Sequence, residues 1–226
     1  MKTWKKISTI IAVSTILSAG VAYANNDFVA IGPKIGTQGI GLNARVPLNE
    51  SFFGRIGVNY FEYKRNFNDG QIDVKGKLTL LSAPIMLDWH PIEGSAFRLS
   101  AGVAYNGNKL KATGTPDKPI TIKGTVFAPN DIGTVTSKLT LGNAVAGIVS
   151  LGYDNSFINN GPLSFNFEAG VMYAGNPKLT TKFTGLANND SARKALIEED
   201  LKRGVNKFKK YLRFYPVLSI GARYTF

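Results

Sequence analysis

The chain contains no cysteine and a single histidine, His90. The first absence excludes disulfide staples and thiolate chemistry, and the two together exclude the Cys/His constellations that hold zinc. Acidic side chains are scarce, with 15 Asp and Glu against 27 Lys and Arg. Beyond the first 24 residues no stretch approaches the roughly 20 apolar residues that a membrane-spanning helix needs. Helical periodicity is missing from nearly all of the chain.

What is present begins with MKTWKKISTIIAVSTILSAGVAYA. A basic start (Lys2, Lys5, Lys6), an apolar run from Ile7 to about Leu17, and Ala22 and Ala24 around Tyr23 follow the order of a secretory signal peptide. Cleavage is expected after Ala24, which makes 1–24 the signal and 25–226 one domain. Its removal leaves 24 basic against 15 acidic residues, a net +9. In an exported protein such an excess points to anionic lipid, lipopolysaccharide or an acidic solute rather than to nucleic acid.

From Ile35 onward the repeating signal has period two. In FRLSAGVAYNGNK, Phe97, Leu99, Ala101, Val103 and Tyr105 share one face, while Arg98, Ser100, Gly102 and Asn106 lie on the other. LSFNFEAGVMYAG repeats the pattern with Leu163, Phe165, Phe167, Ala169, Val171 and Tyr173. Seven strands are expected: 35–48, 52–67, 72–89, 97–113, 136–154, 163–184 and 213–226. Within 72–89 the alternation holds as far as Leu80 and shifts phase near Pro84, which predicts a bulge or edge-like irregularity there. Breaks between most strands are short, as in an antiparallel meander.

The face opposite the apolar stripe is small and polar, suited to filling a narrow barrel. Apolar stripes end repeatedly in aromatics, among them Tyr60, Trp89, Tyr105, Tyr153, Tyr173 and Tyr224, as interfacial girdles require. The expected fold is therefore all-β, an antiparallel up-and-down transmembrane β-barrel. A secreted soluble sandwich or lipocalin-like barrel is the rival, and it would show a denser apolar face backed by a lysine-rich one. Bacterial barrels have even strand counts. Eight strands are expected, ten being the alternative, and the missing strand lies either in 27–34 or in 119–127.

An outward apolar face turns Arg45, Arg55, Arg98 and Arg223 inward together with Asp88 and Glu168. Buried charges must be paired or hydrated, so these six residues form either a salt-bridge network that closes the lumen or a basic lumen that selects anions. His90, in DWHP, follows Asp88 on the same face; its place before Pro91 and a short turn predicts a rim position rather than a catalytic one. No catalytic residue, metal site or cofactor is expected; a lipid-modifying outer-membrane enzyme is the weakest alternative, because no Ser/His/acid arrangement is legible.

The segment NNDSARKALIEEDLKRGVNKFKKYLRF reads differently. Asn189, Asp190 and Ser191 can cap a helix, Ile197, Leu201, Val205, Phe208 and Leu212 recur at helical spacing, and Glu199 with Arg203 forms an i,i+4 pair. Lys202, Arg203, Lys207, Lys209, Lys210 and Arg213 give one amphipathic helix, inserted before the last strand, a basic end. It is expected either to lie on anionic lipid or to plug the barrel mouth.

The closing RYTF on an alternating strand resembles the carboxy-terminal signature of Gram-negative outer-membrane proteins. The resemblance implies that Tyr224 and Phe226 carry a recognition signal for the barrel-assembly machinery. Together with GTQGIGLNARV, DWHP, FRLSAGVAYNGNKL, DIGT, SLGY and YPVLSIGARYTF, the mature chain resembles small, poorly characterised proteobacterial outer-membrane proteins of OmpA/OmpX/OmpW style. The resemblance implies an eight-stranded or slightly larger β-barrel and supplies no activity or catalytic residue; the barrel is expected in the outer membrane, as a monomer in contact with lipid and lipopolysaccharide.

Overall fold

A computed structural model of the chain describes residues 29–226 except 69–71, 123, 159–160, 186–194, 196–198, 200–202 and 205–211. The expected signal peptide lies outside the described residues, as does most of the basic segment 189–212. Among the described residues thirteen strands run in the order β1 (Ala30–Gly36), β2 (Gly39–Pro47), β3 (Phe52–Asn68), β4 (Ile72–Trp89), β5 (Phe97–Asn106), β6 (Lys109–Pro116), β7 (Ile120–Ile122), β8 (Thr125–Phe127), β9 (Val135–Thr140), β10 (Val145–Asp154), β11 (Leu163–Tyr173), β12 (Lys178–Phe183) and β13 (Phe214–Thr225). A one-turn helix, α1 (Pro129–Ile132), follows β8.

Eight of these strands close on themselves in the cyclic order β1, β2, β3, β4, β5, β10, β11, β13, every pair antiparallel. Starting from Tyr224 and stepping once around through Ile31, Ala44, Ile56, Ile85, Val103, Gly147 and Tyr173 leads back to β13 at Phe214. The circuit is thus displaced by about ten residues, the stagger that tilted strands need to close a small barrel. An interior of eight strands is just wide enough for side chains to fill it.

The strand missing from the seven legible ones is β1. What reads in sequence as one strand over 35–48 is a hairpin: Gly36 pairs with Gly39, and Thr37 and Gln38 make the turn. Gly39 has φ 104°, a left-handed conformation that a side chain resists, so a strand-like sequence reverses there. The other candidate, 119–127, holds the separate two-stranded ribbon β7–β8. Pro84 makes no bulge; the register between β3 and β4 is the same before it (Asn59 with Ser82) and after it (Ile56 with Ile85).

Alternation follows the expected parity. Along β10 exposure and burial alternate without a break. In the last strand Leu218, Ile220, Tyr224 and Phe226 are exposed while Arg223 is buried. The exposed face is an apolar belt containing Ile85, Leu87, Val103, Val149, Leu151 and Phe167. Aromatics border it on both sides. At the end holding both described termini, Phe52 stacks on Trp89 at 6.3 Å and Tyr224 meets Phe226 at 4.9 Å. At the other end stand Tyr60, Tyr105 and Tyr173, the last 5.3 Å from Phe214. The two girdles are separated by about eight to ten residues of tilted strand, or roughly 20–25 Å. That matches the apolar band of about 25 Å on outer-membrane barrels. Contiguous exposed apolar surface of this extent has no place in water.

Beyond the Tyr60–Tyr105–Tyr173 girdle the sheet continues on one side. The outer halves of β3 and β4 pair on to β6, β9 and β12, giving an extension of five strand segments. The single strands expected over 97–113, 136–154 and 163–184 each break at this level, at residues 107–108, 141–144 and 174–177. Gly142, at φ 98°, turns the chain between β9 and β10, and the cross-strand register there slips by one residue: Thr140 faces Lys109, whereas Val145 faces Tyr105.

Candidate functional site

The barrel interior is built in layers by inward residues of the eight strands. At the end away from the termini, Met86, Ala104, Ala146, Ile148, Met172, Ala174 and Val217 form an apolar cluster with Tyr215 packed on it. Gln38 folds in from the β1–β2 turn, its Oε1 accepting from Asn59 Nδ2 at 3.4 Å. Toward the termini the interior becomes ionic. The residues expected to face inward do so: Arg45, Arg98 and Asp88 have no accessible surface, and Arg55, Arg223 and Glu168 are 1–3% exposed.

The structure brings these six together. Arg55 is bidentate to two carboxylates at once, with Nε and Nη2 donating to Asp88 at 3.0–3.2 Å and Nη1 and Nη2 to Glu168 at 3.0 and 2.9 Å. Arg98 Nη1 donates to Asp88 at 3.1 Å and Arg45 Nε lies 3.4 Å from the same carboxylate. Asp88 therefore sits among three guanidinium groups. Ser150 Oγ donates to Glu168 at 2.7 Å. Such doubly bidentate, charge-assisted contacts are the strongest polar interactions available to a buried carboxylate.

Sequence reasoning missed two members. Asp154 is fully buried and takes Arg45 Nη1 at 3.2 Å, Arg98 Nε at 3.7 Å and a direct contact from Arg223 Nη1. It closes VAGIVSLGYD, where parity already assigns it inward; its neighbours NSF give it the look of a loop residue. Ser156 fixes it further, Oγ donating at 2.7 Å. Lys34, on β1, is 5% exposed with no carboxylate in ion-pair range among the described residues. Missing β1 meant missing Lys34. The interior thus holds five cations and three acids among the described residues, and Arg98 Nε and Nη2 and Asn166 Nδ2 lack hydrogen-bond partners.

An aromatic floor underlies the ionic layer. The Arg45 guanidinium lies 3.9 Å from the Phe53 ring centroid and 5.7 Å from that of Phe157. The two rings stack at 5.5 Å, and His90 meets Phe53 edge-on at 5.1 Å. Phe157 keeps a φ of 72°, a conformation that costs a non-glycine residue of order 1 kcal/mol and that the stacking offsets.

His90 stands at the rim, as expected. Its Nδ1 is 3.1 Å from the Ser95 carbonyl and its Nε2 2.5 Å from Arg45 Nη2. The assignment that satisfies both is a neutral ring, Nδ1–H donating to the carbonyl and Nε2 accepting from the guanidinium. Burial, and after it the adjacent Arg45 cation, hold His90 below the ordinary histidine value. A depressed native pKa means that its contribution is intact above the ordinary value near pH 6.5 and is lost as pH falls through the native value. Urea midpoints measured between pH 7.5 and 5 are expected to fall on acidification, and less so in His90→Gln.

Of the residues expected to bind anionic lipid, Lys202, Lys207, Lys209 and Lys210 lie outside the described residues. Arg203 is helical and pairs with Glu199 at 2.9 Å, the expected i,i+4 contact. Arg213 donates to Asn176 Oδ1 at 2.6 Å, at the start of β13.

No protein-family model matches the chain, and no curated protein matches it. Among solved structures, Acinetobacter baumannii CarO2 superposes with a TM-score of 0.56 at 20% identity, covering 88% of this chain and 98% of that one. CarO from the same organism gives 0.55 at 18% identity, covering 87% and 97%. Likeness at such identity is likeness of fold, and the chain has the closed eight-stranded antiparallel barrel fold of the Gram-negative outer-membrane proteins.

Proposed function

We propose that the chain is an outer-membrane barrel with a structural and surface-interaction role and a lumen shut to solutes. The observation that carries this reading is the buried ionic layer, in which Asp88, Asp154 and Glu168 are each held by two or three arginines from strands all around the barrel. Opening a path would require parting these buried charges from their partners, at several kcal/mol per ion. The apolar cluster above that layer adds a second obstruction. Contacts outside the barrel are then made by the long connections, including the basic segment 189–212 against anionic lipid.

A second reading, a narrow pathway for small anions, draws on the excess of five interior cations over three acids. Planar-bilayer recording separates the two. The refolded protein is expected to give no steady conductance; reproducible anion-selective steps would overturn the shut lumen and favour the pathway. No enzymatic role is proposed, since both ring nitrogens of His90 are engaged by groups other than a nucleophile.

A further inference from the structure

The β-extension carries a lysine array that the barrel itself does not use. Cross-strand partners share a face, and following them across the sheet gives Lys64, Lys77, Lys111 and Lys138 in one row. The row on one side holds Thr79, Lys109, Thr140 and Lys178 after Glu62, and the row on the other holds Lys75, Thr113, Thr136 and Lys182 after Asn66. The intervening alternate face carries Leu78, Leu110, Leu139 and Leu179. A concavity of about 470 Å³ on the basic face is lined by five lysines and three threonines, with no acid.

Like charges directly opposite across a sheet destabilise it. Here four lysines stand in succession across four strands, and the one carboxylate on these rows among the described residues, Glu62, is already committed to Lys64 at 3.0 Å and Lys77 at 2.8 Å. No described carboxylate pairs with Lys109, Lys111, Lys138 or Lys182. Solvent and salt screen this repulsion at exposed positions, and an anion laid across the face would relieve it further.

Its position names the anion. The basic face continues the outward, apolar face of the barrel: on the β5–β6 line Leu99, Val103 and Tyr105 are followed at the same parity by Lys109 and Lys111. On β3 Tyr60 is followed by Glu62 and Lys64. Each of these lines thus passes from lipid-facing aliphatic to girdle tyrosine and on to lysine, with Glu62 between the two on β3. The lysines begin about 10 Å beyond the girdle, where a Lys side chain can reach phosphates at the bilayer surface. The end is the one opposite both described termini and bearing the long connections, which in outer-membrane barrels is the outer one.

We infer that Lys109, Lys111, Lys138 and Lys182, with Lys77, form a binding site for the phosphorylated sugar headgroups of outer-leaflet glycolipid. The threonines between them supply hydroxyl donors to the same phosphates. The inference rests on the reading that the barrel spans the outer membrane.

The test uses the full chain refolded in zwitterionic micelles, with Lys109, Lys111, Lys138 and Lys182 all changed to Gln, or all to Arg. Purified lipopolysaccharide with phosphorylated lipid A, the same material after phosphatase treatment, and soluble polyphosphate are the probes. Binding to the phosphorylated form is expected to drop at least tenfold in the Gln variant, to persist in the Arg variant and to weaken with salt. Without ligand the Gln variant is expected to unfold at higher urea than the parent, because the repulsion is gone, and lipopolysaccharide is expected to raise the parent only. Equal affinity in the two proteins, or equal binding of the dephosphorylated form, would overturn the site. Tighter binding of polyphosphate than of lipopolysaccharide would overturn the lipid as its occupant. Vesicle flotation and the unboiled gel shift report the barrel separately: a chain that folds and floats but ignores phosphate sinks this inference alone, whereas one that never enters vesicles sinks the membrane reading.

Discussion

Asp88→Ala is expected to destabilise the folded barrel by about 3–5 kcal/mol, the cost of removing one partner from a buried ionic cluster. The reason is local. Arg55, Arg98 and Arg45 converge on that carboxylate with contacts of 3.0–3.4 Å, and all are buried. Truncation leaves three guanidinium groups sharing Glu168 and Asp154, with mutual repulsion no longer screened by the central anion. Urea titration of the refolded protein, scored by unboiled gel mobility, measures the loss. A cost under about 1 kcal/mol would mean that water enters freely, and the shut-lumen reading would fall with it. Because desolvation offsets much of the attraction, the network as a whole contributes less stability than any one deletion removes. Its larger effect is specificity, since the arginines come from β2, β3, β5 and β13 and the acids from β4, β10 and β11.

Val149→Arg is expected to cost about 2–4 kcal/mol in a phospholipid bilayer, the penalty for a cation at the midplane of a barrel's lipid face. Val149 is 57% exposed and pairs with Ala101 on one side and Val171 on the other, midway between the two girdles. In a water-soluble barrel the same exposed position would tolerate the change to within about 0.5 kcal/mol. A penalty of that size on unfolding from vesicles is therefore expected only if the belt faces lipid. An effect within about 0.5 kcal/mol would revive the soluble barrel.

How far these residues could be read in advance depended on the range of the interaction involved. The inward set Arg45, Arg55, Asp88, Arg98, Glu168 and Arg223 was legible because each lies within a long alternating run. Asp154 obeys the same parity but stands at a strand end among turn-forming residues. Lys34 was hidden because β1 is short, interrupted by Gly32 and Pro33, and joined to β2 by a tight turn. Of the Pro84 expectation the bulge is absent and only a local irregularity is present: a missing backbone donor interrupts the ladder there while neighbouring pairs hold the register. The lysine array was invisible as a unit, since Lys77, Lys109, Lys111, Lys138 and Lys182 belong to four separated strands.

Sequence by itself determined the relative facing of residues inside each long alternating run, including the outward stripe of VLSIGARYTF and the inward Arg223. That is a consequence of covalent geometry, because successive side chains in an extended chain point to opposite sides whatever lies beside them. Only the tertiary structure decided who stands beside whom. Closure with its ten-residue stagger sets β5 against β10 across 38 intervening residues and carries β6, β9 and β12 past the rim as an extension of the same sheet. Ionic pairing and cross-strand repulsion act over a few ångströms of space, so the partners of Asp88 and the crowding of the lysines exist only once the barrel has closed.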